Sequence, residues 1–259
     1  MKFTFLTLFP EVFDSPLKAS ILGRAIKQGK IHVDVTNLRD FTKGRHKVAD
    51  DKPYGGTKGM LMKPEPIIEA INSVKHASPE VWTILLSPYG LTFNQEIAKS
   101  LSKKAHLLLI CGHYEGVDER VRYFIDEELS LGDFVLSGGE VAALAIIDAI
   151  SRLVPNVLGS YSSVEEESFS NGLLEYPQYT RPKVYKGYKV PEILLSGHHQ
   201  KIKEWRRRQA LLRTLLLRPD LLEKAKLEKE DINFLIETCK SLEQNSTKKR
   251  RLIEIKKDR

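Results

Sequence analysis

Apolar positions along the first 158 residues switch between two rhythms. Strands are expected over Lys2–Phe9, over Ile31–Val35, where Ile31, Val33 and Val35 alternate, and over the short apolar runs Val81–Ser87 and His106–Cys111. Between them, apolar residues recur at helical spacing over Pro64–His76, Phe93–Lys103 and Glu140–Leu153. Ser15-Pro16 reads as the start of a further helix that Gly29 stops, and Asp118 as the cap of another. Strands alternating with helices predict an α/β fold with a parallel sheet covered by helices. Arg39–Lys63 has almost no periodicity, and a stretch of that length inside a compact domain is functional or disordered.

The rhythm changes after Gly159. Ser160–Gly172 is polar and aperiodic, a predicted flexible linker, and Tyr176–Val190 is rich in Tyr, Pro and Lys. From Ser196 onward the pattern is helical, with Asp220 and Asp231 as caps and the last helix ending near Glu243. There is no internal repeat. A chain of 259 residues fits one to two domains of about 150 residues. The expected division is 1–159, a linker over 160–172, a small helical domain over 173–245 and a basic tail over 246–259.

Composition narrows the class. With 41% apolar and 29% charged residues, collagen, coiled coil and wholesale disorder are excluded. Apolar runs such as Val141–Ile147 fall well short of the roughly 18 residues of a membrane helix. Phe3–Phe9 is followed by Pro10 and Glu11 without a small-residue cleavage site, so no signal peptide is expected. Cys111 and Cys239 have no partner spacing, which suggests a reduced, cytoplasmic protein.

The net charge of +7 is uneven. His198–Arg218 carries seven Lys or Arg against one Glu, and Ser246–Arg259 seven against two acids. The rest of the chain is therefore slightly acidic, and the pattern points to a polyanion partner. Ile202, Trp205, Leu212, Leu215 and Leu216 should turn inward on the basic helix. That leaves Lys203, Arg206, Arg207, Arg213 and part of Arg208 outward. The tail is as readily a solubilising segment as a ligand for RNA.

Three glycine-bearing segments follow apolar strands: SPYG (87–90), CGHYEG (111–116) and LGDFVLSGGE (131–140). None matches a dinucleotide fingerprint or a phosphate-binding loop. Each alone is more often structural, but three at strand ends suggest one small-ligand pocket. Charged candidates nearby are Glu115, Asp118, Glu119, Arg120, Arg152 and Glu165–Glu167. Arg152 can equally complement a helix dipole, and the Glu run can be an ordinary solvated hinge. No His/Cys cluster has zinc spacing and no G-x-S-x-G elbow occurs, which disfavours metal and acyl-transfer chemistry.

Six segments in order carry a family resemblance: DDKPYGGTKGMLM (50–62), LLSPYG (85–90), CGHYEGVDERV (111–121), GDFVLSGGE (132–140), SRLVPNVLG (151–159) and SFSNGLLEYPQYTRP (168–182). Through residue 245 the chain resembles the bacterial tRNA (guanine-N1)-methyltransferases, which modify guanine at tRNA nucleotide 37. The resemblance implies a SPOUT-type methyltransferase domain, with a deep trefoil knot threaded over about Leu85–Gly139, and a helical tRNA-binding domain. It implies S-adenosyl-L-methionine at Gly112 and Leu131, Gly132, Asp133, Phe134, Val135 and Leu136, with Pro88, Tyr114, Glu115, Gly138 and Gly139 nearby. It further implies a homodimer with active sites at the subunit interface, and Arg45, His46 and Asp50 near the RNA.

The resemblance assigns the base to Glu167 and the stabiliser of charge on guanine O6 to Arg152. It also admits Mg2+, for which Glu115 and Glu167 would be the carboxylates. The sequence departs from the family pattern at Glu167 (commonly Asp), Phe134 (commonly Tyr), Ala142 (often Pro) and Thr57 (commonly Gly). Two other readings stay open from the residues: a knotted methyltransferase for another RNA site, and a non-catalytic RNA-binding protein of the same fold.

Overall fold

The computed structural model describes residues 1–56, 58–158 and 167–257. The chain divides into two compact units, Met1–Tyr161 and Ser162–Arg259. Among the described residues, no helix is long and apolar enough to cross a membrane.

The first unit is built on a five-stranded sheet. Its strands are β1 (Lys2–Thr7), β2 (His32–Asn37), β5 (Trp82–Thr92), β6 (His106–Cys111) and β7 (Glu127–Ser130), in the order β2-β1-β6-β5-β7. Every pairing is parallel. The central strand β6 is buried along its whole length, which is why His106–Cys111 reads as a nearly continuous apolar run. Helices α1 (Ser20–Lys27), α2 (Pro64–Ala77), α3 (Gln95–Leu101) and α4 (Glu140–Ser151) complete the unit. Two apolar clusters cover the faces of the sheet. Phe3, Phe5, Leu107 and Leu109 pack with α4 on one; Leu6, Leu108 and Ile110 pack with α2 on the other.

Several elements differ from the sequence reading. The helix expected from Ser15 to Gly29 is broken: Pro16–Lys18 is a 3-10 turn, Ala19 is extended and α1 begins only at Ser20. The chain doubles back so closely that a Cβ on Gly23 would lie 2.4 Å from the Lys18 carbonyl. Asp118 accepts from the Arg120 amide, but it caps a 3-10 turn over Glu119–Phe124 rather than an α-helix. The short strand β7 behind it carries only four residues, too few for alternation to register in the sequence. Inside the aperiodic stretch, β3 (Asp50–Asp51) and β4 (Leu61–Met62) form a small antiparallel ladder.

The second unit holds β8 (Val184–Tyr185), β9 (Tyr188–Lys189), α5 (His199–Leu217) and α6 (Lys229–Lys257). The expected linker over 160–172 lies partly outside the described residues. Glu167 to Gly172 forms a turn in which the Phe169 amide donates to the Leu173 carbonyl at 2.8 Å. The α5 residues facing the core are Ala210, Leu211 and Thr214, whereas Leu216 is 57% exposed. The inward stripe is thus rotated from the one predicted. Thr214 can be buried because its hydroxyl donates to the Ala210 carbonyl and accepts from the Leu174 amide. Helix α6 runs past Glu243 to Lys257, since neither Gly nor Pro interrupts it. Asp220 sits inside a 3-10 turn, paired with Arg218.

Asp231 reaches back from the first turn of α6 to accept from the Glu228 amide at 2.9 Å, and it pairs with Arg207 of α5 at 2.7 Å. Burial pushes its carboxyl up, but the Arg207 and Glu228 hydrogen bonds outweigh this and hold it below the ordinary range. The stabilisation is therefore complete above the unfolded value of about 3.9 and lost as pH falls through the lower folded value. Urea unfolding should show Asp231→Asn less stable than the parent at pH 7, with the gap closing below about pH 4. A gap independent of pH would refute the linkage.

Candidate active site

All five strands of the sheet are parallel, so the loops that leave their carboxyl ends gather on one side. The three glycine-bearing segments meet there around a cavity of about 580 Å³, within the range of small-molecule sites.

The first segment is not the simple turn its sequence suggests. Strand β5 leaves its ladder with β7 after Leu86, opposite Leu129, and rejoins at Leu91, again opposite Leu129. Ser87–Gly90 is therefore extruded from a continuous strand into the cavity wall. Gly90 makes this feasible, because a Cβ there would lie 2.3 Å from the Leu129 amide nitrogen. The extruded loop is held from one side. Arg122 makes a two-pronged pair with Glu128, both contacts at 3.0 Å, and also pairs with Glu119. Glu128 accepts from the Ser87 hydroxyl, and the Arg122 guanidinium lies 5.1 Å from the Tyr89 ring centroid. Burial pushes the Glu128 carboxyl up, but its bonds to Arg122 and Ser87 hold it below the ordinary range.

The floor is the meeting of β6 with the start of α4. The Gly139 amide donates to the Gly112 carbonyl at 2.8 Å, and His113 bridges to Gly138. A Cβ on Gly139 would lie 2.8 Å from the Cys111 Cα, so the helix start is seated directly on the strand end. Beneath it, Glu140 is buried and accepts from the Thr7 hydroxyl at 2.7 Å. Its second oxygen lies 3.6 Å from His113 Nδ1, and the His113 ring is flanked by Phe9 and Tyr114. Burial, with the neighbouring Glu140 charge, pushes the Cys111 thiol well up, so it stays protonated and inert.

The aperiodic stretch closes another side. Its end is laced to the 113–118 loop by three backbone bonds: Glu115 amide to Met60, Met62 amide to Gly116 and Asp118 amide to Met62. Leu61 thereby reaches the cavity.

Of the twelve residues expected around a cofactor, Pro88, Gly112, Tyr114, Glu115, Leu131, Gly132, Phe134, Val135, Leu136, Gly138 and Gly139 line this cavity, and Asp133 does not. Sequence reasoning missed Ser87, Tyr89, His113 and Arg122, which also line it. Ser87 and Tyr89 lie within the SPYG segment and His113 within CGHYEG, which could have signalled them; nothing local signalled Arg122. Arg152 caps the end of α4, where its amide donates to the Asp148 carbonyl. Glu167 belongs to the other unit and is half-buried. Glu165, Glu166 and Thr57 lie outside the described residues. Arg45 and His46 are exposed, and Asp50 lies in β3.

On α5, Lys203 is exposed. Arg206 lies 4.8 Å from the Tyr176 ring centroid, and Arg207 is committed to Asp231. Those two arginines therefore tie the unit together as well as carrying charge. Among the described residues, no group of three or more His, Cys, Asp or Glu could hold a metal ion. The two carboxylates expected for Mg2+, Glu115 and Glu167, fall in separate units.

Fold and cavity define an α/β protein with a small-ligand site at the carboxyl ends of a parallel sheet. The chain matches the family model for tRNA (Guanine-1)-methyltransferase TrmD over residues 1–224. A tRNA (guanine-N(1)-)-methyltransferase of Dictyoglomus turgidum is 55% identical over 242 residues, covering 93% of this chain and 98% of that protein. Those of Clostridium perfringens and Carboxydothermus hydrogenoformans are 56% and 57% identical. The first alignment covers 91% of this chain and 99% of the relative; the second covers 89% and 91%. This chain belongs to the tRNA (guanine-1)-methyltransferase family.

Proposed function

We propose that this protein transfers a methyl group from S-adenosyl-L-methionine to N1 of guanine 37 in tRNA, in the cytoplasm. Family membership over residues 1–224 carries the reading, and the glycine-lined cavity supports a donor site there. The residues present suit that donor. Apolar and aromatic walls from Leu86, Leu131, Tyr114 and Phe134 match a nucleoside, and the Glu115 carboxylate matches ammonium or sulfonium charge. Gly112, Gly138 and Gly139 let backbone approach it closely.

When bound, the donor supplies an electrophilic methyl group on a sulfonium. Guanine N1 carries a proton and is a poor nucleophile until that proton leaves. Glu167 accepts it, which drives negative charge onto O6. The Arg152 guanidinium stabilises that charge by donating to O6. The donor would supply the methyl group that bonds to N1 as its S–CH3 bond breaks and the neutral thioether leaves, and the cavity walls would hold donor and base together for that transfer. Family membership supports a homodimer whose active sites form between subunits. In this reading the chain threads a trefoil knot over Leu85–Gly139. Residues 173–245 form the tRNA-binding domain, with Lys203, Arg206 and Arg207 on its basic face. Arg45, His46 and Asp50 approach the anticodon.

Two tRNA transcripts test the proposal, one with guanine and one with adenine at nucleotide 37. Each is incubated with labelled S-adenosyl-L-methionine, and the modified base is mapped by mass spectrometry. Label at N1 of guanine 37 in the first transcript alone is expected. Label on both transcripts, or on neither, would refute the assignment.

A further inference from the structure

The segment Pro177–Val190 stands outside the site described above, yet its chemistry is concentrated. It carries Arg181, Lys183, Lys186 and Lys189 without one acidic residue, and three tyrosines among them. Strands β8 and β9 pair Tyr185 with Tyr188 and Val184 with Lys189. The turn between them is Lys186-Gly187, with φ of 48° and 85°, the two positive values a tight type I′ hairpin requires. Directly opposed residues of an antiparallel pair project from the same face, so Tyr185 and Tyr188 stand side by side.

Neither ring is used to build the core. Tyr185 is 63% and Tyr188 82% exposed. The core of this unit is made by other residues, Leu173, Ala210 and Leu211 with Phe234 and Leu235 around them. Beside the hairpin lies a cavity of about 370 Å³ lined by Tyr179, Arg181, Lys183, Leu194 and Leu195 among others. Its wall is thus one aromatic ring, two cations and an apolar floor. Lys183 is fixed there because its carbonyl accepts from the Val190 amide at 2.9 Å, which extends the hairpin ladder.

Paired exposed rings next to four cations, with Glu192 the one acidic residue across 177–195, suit unpaired nucleotides: π-faces stack on bases while cations meet phosphates. We propose that the 177–195 segment is a second RNA-contact surface that takes unpaired nucleotides of the tRNA substrate. Bases stack on Tyr185 and Tyr188, and the backbone lies against Arg181 and Lys183. The proposal rests on the tRNA reading above and deepens it. It adds a stacking platform to the electrostatic face of α5, and charge complementarity selects RNA as the occupant.

The test uses the full chain and a fluorescently labelled tRNA transcript with guanine at nucleotide 37, with anisotropy read at several salt concentrations. Tyr185→Ala/Tyr188→Ala should raise Kd about fivefold or more while leaving the salt slope unchanged. Arg181→Ala/Lys183→Ala should flatten the slope of log Kd against log salt by about 1 to 2. Both hairpin faces are exposed, so thermal unfolding should not move. S-adenosyl-L-methionine binding, read by calorimetry, should also match the parent. Parental affinity and slope in both variants would overturn the platform while leaving the tRNA reading intact. Unchanged RNA binding with altered sedimentation would overturn it in favour of contact with a second copy of the chain. A parent protein that binds no tRNA would overturn both readings together.

Discussion

Glu167→Gln is expected to lower kcat for tRNA methylation by about 10²- to 10⁴-fold while S-adenosyl-L-methionine binds as in the parent. Glutamine keeps the length and the hydrogen-bonding capacity of the side chain but cannot accept the N1 proton. The loss therefore isolates proton abstraction. Arg152→Ala should fall by a similar factor for a different reason, since charge developing on O6 is left without its donor. Single-turnover rates with saturating donor and tRNA separate these losses from binding. A Glu167→Gln rate within tenfold of the parent would refute the base assignment, and Glu166→Gln would then be the variant to compare.

Gly90→Ala should damage the proposed donor site without touching any side chain in it. The added Cβ meets backbone atoms of Glu128 and Leu129, at 2.4 Å and 2.3 Å, and backbone cannot rotate away as a side chain would. Overpacking of this kind costs about 1–3 kcal/mol, and a collision with backbone belongs at the upper end. Relief requires the extruded Ser87–Gly90 loop to move off β7, which takes Pro88 and Tyr89 out of the cavity wall. The expected result is a drop in Tm of about 5 °C or more. Donor affinity should fall at least tenfold, measured by calorimetry. Gly29→Ala is the control, because nothing lies within 4 Å of its Cβ position although its φ of +67° strains any side chain. It should cost some stability and leave donor affinity unchanged. Equal donor affinity in Gly90→Ala and the parent would show that the extruded loop does not shape the site.

Much of the first unit was legible because burial there obeys period. Strand β6 is enclosed on both faces and so is apolar from Leu107 to Cys111; α2 and α4 carry their inward stripes at helical spacing. The positions of the glycine segments, together with the rule that ligands lie beyond strand ends, point to one pocket. Eleven of the twelve predicted cofactor residues line it. What failed did so where long-range contacts override local signals. The break before α1 depends on Lys18 lying against Gly23, and the rotated stripe of α5 depends on Thr214 finding partners inside. Nothing in the local spacing encodes either.

By itself, the sequence determined the strand–helix alternation, the uneven charge, the ordered motifs of the family and the residue types offered for proton transfer. These are properties of residues near one another in the chain, set by side-chain volume, polarity and backbone preference. Only the tertiary structure decided that β5 runs on through its own extruded loop, that Arg122 and Glu128 hold that loop, and that Glu140 sits under the floor of the cavity. It also decided that two tyrosines of a polar, proline-rich segment stand together on one face of a hairpin. Those arrangements join residues far apart in the chain. They exist because parallel pairing brings distant strand ends together and because buried polar groups must find partners wherever the fold supplies them.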